Sequence, residues 1–207
     1  MSSEQLSIKP SVLYFGTPVV LIVTRNPDAT ANITPISSAW ALDDRMVLGL
    51  GAVGQGITNL TRERECTLNL PSADLWHKVE RIARTTGLNL VPAVKIAAGY
   101  VHSPDKFALG GFSTAASETV RTPRIAECPV QLEARLLASY PSGNASADEG
   151  PSYLIVEAEV QHVHAHRDMV IPGTDYIDTD RWNPLFYVFR HYFGNAHDLG
   201  KNFRAEQ

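Results

Sequence analysis

The sequence predicts a mainly β protein with flanking helices, in which antiparallel strands curl into a barrel. Three observations predict this class. Strand-length runs rich in β-branched and apolar residues recur as far as Leu70, tight turns separate most of them, and the apolar pattern changes to a helical period after Pro71. With 207 residues, 44% of them hydrophobic, the chain can bury a real core, and one domain is expected.

In chain order, Val12 to Phe15 reads as a short strand and Pro18 to Thr24 (PVVLIVT) as a buried one, bounded by Gly16 and Asn26-Pro27. The turn at Asn26-Pro27-Asp28 makes Thr30 to Ile36 its hairpin partner. Pro35 breaks this second strand. Proline removes a ladder donor and belongs at an edge or bulge, so the stretch Ala31 to Trp40 (ANITPISSAW) has main-chain groups free for something other than a sheet partner. Asp43-Asp44 turns the chain into Arg45 to Leu50, which runs through glycines into a short helix, Ile57 to Glu63. Cys66 to Leu70 adds another strand. Strands joined this way form an antiparallel meander, which must curl to cover its edges.

Beyond Pro71, Ser72 is placed to cap a helix, with Asp74 in its first turn. Leu75, Trp76, Val79, Ile82 and Ala83 fall on one face, and Gly87 is the stop. This helix is a lid on the barrel. Asn89 to Arg121 is irregular apart from a helical turn at Pro104 to Leu109, and connections of that length often carry function. Ala134 to Tyr140 and Tyr153 to His166 are strands flanking a polar loop, PSGNASADEGP, expected to be mobile. Arg181 to Phe193 is the most aromatic segment, suited to docking on a core or another subunit.

Several function classes fall away. A net charge of −4, with Lys and Arg dispersed, offers no footprint for nucleic acid. Cys66 and Cys128 lie far apart without metal or redox spacing, which suits a reduced protein, and neither reads as a nucleophile. No apolar run approaches a membrane span and the first ten residues lack a signal-peptide core, so a soluble, cytoplasmic protein is expected. Gly49-Leu-Gly51-Ala-Val-Gly54 is a literal GxGxxG, with Asp74 at about the spacing of a Rossmann acid. Its context fails, because the following helix is short and hairpin-like turns, not crossover helices, join the strands. What remains is a strand-to-helix turn whose helix N-terminus suits a phosphate, beside free main-chain groups suited to a flat polar heterocycle. Together they point to a nucleotide-like cofactor.

PSVLYFGTPVVLIVT, NITPISSAW, the Asn-Leu of ITNL with ECTLNLPSADL, PDKFALGGF, PRIAECPVQLEA and IDTDRWNPLFYVFRHYF resemble, in this order, the flavin reductase family with the FMN-binding split-barrel fold. The resemblance spans residues 10–193 as one domain, leaving 1–9 and 194–207 as extensions. It implies a six-stranded antiparallel split barrel with flanking helices, a homodimer with FMN near the interface, and hydride chemistry with NADH or NADPH. A partner monooxygenase is compatible with it.

Carried over by position, the resemblance places Thr34, Pro35, Ser37 and Ser38 along the flavin ring, with Ala39 and Trp40 continuing that wall. Gly54, Gln55, Gly56 and Asn59 go to the phosphate. Relatives commonly have Thr where this chain has Gly56, so FMN is expected to be weakly held and Gly56→Thr to tighten it. Lys106 in the DKF segment and His164 are the candidate catalytic residues. Arg124 and Glu127 are read as a loop-shaping ion pair.

His162, His164 and His166 alternate and extend the face of Leu154, Val156, Ala158 and Val160. Neighbours on a straight strand lie roughly 6.5 to 7 Å apart, so two can share an ion while three need a bend. Lining a pocket or interface is the reading adopted, with no metal assigned. The alternative to a flavin enzyme is a flavin-independent or ligand-binding protein on the same fold.

Overall fold

The computed structural model describes residues 4–143 and 150–200, so most of the polar loop at 141–151 lies outside the described residues. In chain order the strands and helices are β1 (Phe15–Pro18), β2 (Val20–Arg25), β3 (Ala31–Ile36), β4 (Ala39–Leu42), β5 (Arg45–Gly51), α1 (Gln55–Glu63), β6 (Glu65–Leu70) and α2 (Trp76–Ala83). Short pieces follow: β7 (Thr85–Thr86), α3 (Ala93–Ala97), β8 (Val101–His102), α4 (Lys106–Gly110), β9 (Thr114–Ala115) and β10 (Arg124–Ile125). The long hairpin of β11 (Val130–Ser142) and β12 (Tyr153–Ala165) and the small hairpin of β13 (Phe186–Val188) and β14 (His191–Phe193) complete the chain.

The main sheet is antiparallel, with strand order β3-β2-β6-β11-β12-β5-β4. It has seven strands rather than six. It is also not a simple meander, because β5 pairs with β12 and β4, and β6 sits between β2 and β11. The two edge strands, β3 and β4, are chain neighbours joined only through Ser37-Ser38. The sheet therefore curls until its edges meet and stays split between them, which is where the break at Pro35 falls. Rossmann geometry is absent around the glycines, since β5 has antiparallel partners on both sides.

β2 shows why its run is continuously apolar. Val20 and Ile22 point into the barrel with Leu48, Leu60, Leu68 and Val156, while Leu21 and Val23 pack outside against Val79, Ile82 and Phe107 from α2 and α4. A strand covered on both faces has no polar face to show. Both thiols lie in these cores, and burial pushes Cys66 up to about 12 and Cys128 higher still, which removes either as a nucleophile.

One irregularity in the long hairpin matters for the histidines. Glu133 pairs with His162 but Ala134 with Val160, so Gln161 is an extra residue on β12. Ala134 and Val160 face the barrel core, hence His162 and His164 point to the outer face with Glu133 and do not extend the apolar face as the alternation predicts. Arg124 also departs from expectation. Its guanidinium binds the Ala116 carbonyl and Gln131, while Glu127 accepts from the Ser113 amide and approaches Lys78.

Candidate functional site

A cleft opens where the barrel is split. Its wide part, about 840 Å³, is lined by Pro35, Ile36, Ser37 and Ser38 on one side and Gly49 to Gly51 on the other, with Val79, Glu80, Ala83 and Arg84 beneath. A narrower part, about 170 Å³, continues from it through Pro35, Leu50, Gly51 and Tyr100 to Thr34, Gly54, Gln55, Gly56, Lys95 and Lys106. The wide part fits a small-molecule site in size.

Each wall follows from local chemistry. β3 is an edge strand, so alternate main-chain groups of Thr34 to Ile36 face the cleft instead of a ladder. Gly49 donates its amide to the Ser38 carbonyl at 2.7 Å, and a Cβ at Gly49 would stand 2.8 Å from Ser38 Cβ. Only glycine permits that approach. At the narrow end, α1 begins with Gly54 as an extended N-cap and neither a capping side chain nor an acid in its first turn. Its first amides have no intrahelical acceptor. Lys95 Nζ stands 3.6 Å from where a Cβ of Gly54 would be, and 4.6 Å from the Tyr100 ring centroid. Burial lowers the Lys95 pKa below its ordinary value.

Lys106 is 4% exposed. Its ammonium donates to the Ile33 carbonyl at 2.8 Å and to the Thr85 carbonyl at 3.2 Å, filling an acceptor that the edge strand leaves open. Burial, with Lys95 nearby, brings its pKa down to about 8. The same end holds Asn32, whose Oδ1 is buried and without a partner among the described residues. A cation pair, free helix amides and an unpaired buried acceptor suit an anionic group attached to a hydroxylated chain.

Gly56 sits at the head of α1, facing Thr34. A Cβ there would lie 2.3 Å from Thr34 Oγ1 and 3.2 Å from Thr34 Cβ. The Thr34 hydroxyl thus occupies the space that a side chain at residue 56 would fill. The sequence identified the glycine and the threonine separately, and their contact across the split is visible only in the fold.

Of the predicted residues, Thr34, Pro35, Ser37, Ser38, Gly54, Gln55, Gly56 and Lys106 come together in this cleft. Ala39 does not, because it is in the barrel core, and Trp40 is 55% exposed on edge strand β4. Asn59 is not at the open N-terminus of α1, to which the resemblance assigns it, since that helix starts at Gln55, two residues before the predicted Ile57. It is fully buried, donates to Thr24 Oγ1 and Asn26 Oδ1, and accepts from Gln55 Nε2. Its capacity goes to fastening α1 to the β2–β3 turn. His164 lies eleven residues along β12 from Tyr153, which lines the cleft, a span of up to about 35 Å.

Sequence reasoning missed Lys95, Tyr100, Arg84 and Arg190. No pattern marks the first three, which come from irregular segments or a helix end. Arg190 was within reach, since it belongs to the aromatic C-terminal run. That run folds as the β13–β14 hairpin, with Tyr187 and Tyr192 over the wide part of the cleft and Phe189 and Arg190 at φ of 45° and 71° in its turn. Two non-glycine residues at positive φ mark a strained turn at the cleft mouth. Tyr192 donates to Glu80 at 3.0 Å, and burial together with that carboxylate raises its pKa.

A family model described as flavin reductase like domain matches residues 12–196. The protein YdfE of Bacillus subtilis (strain 168) is 40% identical over 203 residues, which cover 96% of this chain and 93% of that one. Among solved structures, the fold is similar to flavoredoxin of Desulfovibrio vulgaris (Miyazaki F), with a TM-score of 0.78 and 19% identity over 98% of this chain and 99% of that one. It is also similar to nitrilotriacetate monooxygenase component B from Bacillus cereus, with a TM-score of 0.75 and 14% identity over 97% and 100%. At these identities the structural likeness is one of fold.

Proposed function

The chain belongs to the flavin reductase-like family, and from that premise we propose that its cleft binds FMN and that the protein passes hydride from NADH or NADPH to the flavin or to a small organic molecule. The observation that carries this reading is the junction of two unlike surfaces. An edge-strand main chain, Thr34 to Ser38, runs directly into a helix N-terminus flanked by Lys95 and Lys106. A flavin bound there would supply a two-electron hydride acceptor.

The residues then divide the work. Main-chain groups of Thr34 to Ser38 and the two serine hydroxyls orient the polar edge of the ring, and Gly49 lets the opposite strand close against Ser38. The first amides of α1, Lys95 and Lys106 hold the phosphate, and Thr34 contributes the hydroxyl that Gly56 lacks. Tyr100, Tyr153, Tyr187 and Tyr192 wall the wide part and exclude water. Arg84 and Arg190 line the same part as cations suited to an anionic cosubstrate.

We extend the proposal to a homodimer, supported by Trp40 and Leu42 exposed on edge strand β4. On the same reading a partner monooxygenase would take the reduced flavin; the similar Bacillus cereus protein is named as one component of a monooxygenase. The test is anaerobic mixing of the purified chain with FMN and NADH or NADPH. Bleaching of the flavin band at a rate that depends on the protein supports the reading, and a rate equal to that without protein refutes it.

A further inference from the structure

At the far end of the long hairpin from the cleft, the side chains of Glu118, His162 and His164 converge so that one ligand atom from each lies within 4.8 Å of the others. His162 Nε2 is 3.9 Å from Glu118 Oε2, His164 Nδ1 is 3.9 Å from Glu118 Oε1, and the two imidazole centroids are 4.4 Å apart. The bulge at Gln161 creates this pairing by turning both histidines outward, opposite the loop that carries Glu118. His166 is excluded, since its Nε2 contacts the Ala126 carbonyl at 2.9 Å.

The second observation lies behind His164. Its Nε2 is 2.7 Å from Oε1 of Glu133, which is 0% exposed and also accepts from the Glu118 amide, the Thr119 amide and the Thr119 hydroxyl. Arg124 Nε approaches the same Glu133 oxygen at 3.8 Å. With its oxygens already accepting from two amides and a hydroxyl, Glu133 is placed as the acceptor of a His164 Nε2–H, the tautomer that leaves the Nδ1 lone pair facing Glu118 and His162. A carboxylate fixing the tautomer of a histidine whose other nitrogen faces further ligands is the outer shell of a metal centre.

We propose that Glu118, His162 and His164 form a binding site for a divalent transition metal of the zinc type, with His164 as the fixed ligand and water completing the shell. Nitrogen and carboxylate donors suit that ion. Tetrahedral binding needs donor atoms about 3.4 Å apart, so the ligands close by roughly 0.5 to 1.4 Å. Glu118 and His162 are at 64% and 40% side-chain exposure and have the freedom to move, while His164 at 15% does not need to. The ion would clip the loop bearing Glu118 onto β12, a structural role apart from the cleft.

The test is titration of the chelator-treated full chain with Co²⁺ as a spectroscopic probe, then with Zn²⁺ followed by thermal unfolding. The expected result is one Co²⁺ per chain with a visible ligand-field band, displaced by Zn²⁺, and a rise in Tm with Zn²⁺. His162→Ala and Glu118→Gln, both at exposed positions, should weaken binding at least about tenfold, Glu133→Gln should weaken it roughly 10- to 100-fold, and His166→Ala should leave it unchanged. Absence of the band in the wild type, or affinity in His162→Ala and Glu118→Gln equal to wild type, overturns the proposal.

Discussion

Thr34 and Gly56 show how one contact revises a substitution's sign. From sequence, a threonine at residue 56 restores a missing hydroxyl. In the fold that volume already holds Thr34 Oγ1, 2.3 Å from where a new Cβ would go. Gly56→Thr therefore forces Thr34 or the head of α1 to move, and a fluorescence titration should show FMN affinity unchanged or lower, not higher. Thr34→Ala should weaken FMN by roughly tenfold, the effect of one charge-assisted hydrogen bond at its lower limit. If Gly56→Thr in the wild-type background binds FMN severalfold more tightly, the hydroxyl of Thr34 is not the substitute.

Lys106 carries a pH dependence whose sign is fixed. Its folded pKa of about 8 lies below the ordinary 10.5, so between these values the unfolded chain holds more protons and stability rises with pH. The penalty for burying the charge is fully present below pH 8. A bound phosphate favours the charged form, so FMN affinity should fall as pH rises through 8. Isothermal titration at pH 7 and pH 9 should show that fall in the wild type, whereas Lys106→Met should be weaker at pH 7 by about tenfold and flat with pH. A parallel decline in both proteins would remove Lys106 from the anion site.

At the scale of elements, the strands of the first half were legible because β-branched runs and turn residues carry their own signal, and Pro35 marked the edge of the sheet. β4 was not, since Ala39 and Trp40 read as a continuation of β3. Two serines between them let the chain cross the split, and nothing in their chemistry records that the partner changes. The family resemblance assigns Asn59 to the phosphate by position, yet burial of its amide among Thr24, Asn26 and Gln55 makes it the joint between α1 and the β2–β3 turn. Asn59→Ala leaves these groups unpaired and should cost roughly 1 to 3 kcal/mol in urea unfolding, with the preference for FMN over riboflavin retained. Loss of that preference without loss of stability would return Asn59 to the phosphate.

For the whole molecule, the curling of an antiparallel sheet into a split barrel was readable and strand order was not, because pairing β5 with β12 joins residues more than a hundred positions apart with no local mark of the choice. The same limit hid the bulge at Gln161 and so the outward turn of the histidines. Assembly belongs to this scale as well. Trp40 and Leu42 on an edge strand should be covered by a second copy, and light scattering at micromolar concentration should give the mass of two chains, with Trp40→Lys shifting it toward one. A clean monomer in the wild type with FMN present would contradict this.

On the proposed reading, the split of this barrel holds a flavin by its phosphate at the N-terminus of α1. Parallel titrations with FMN and riboflavin, followed by the change in flavin absorption, test it most directly. The account predicts a spectral shift with FMN, with affinity at least about tenfold above that for riboflavin, as loss of the phosphate contacts requires. No shift with either flavin, or equal affinity for both, would contradict it.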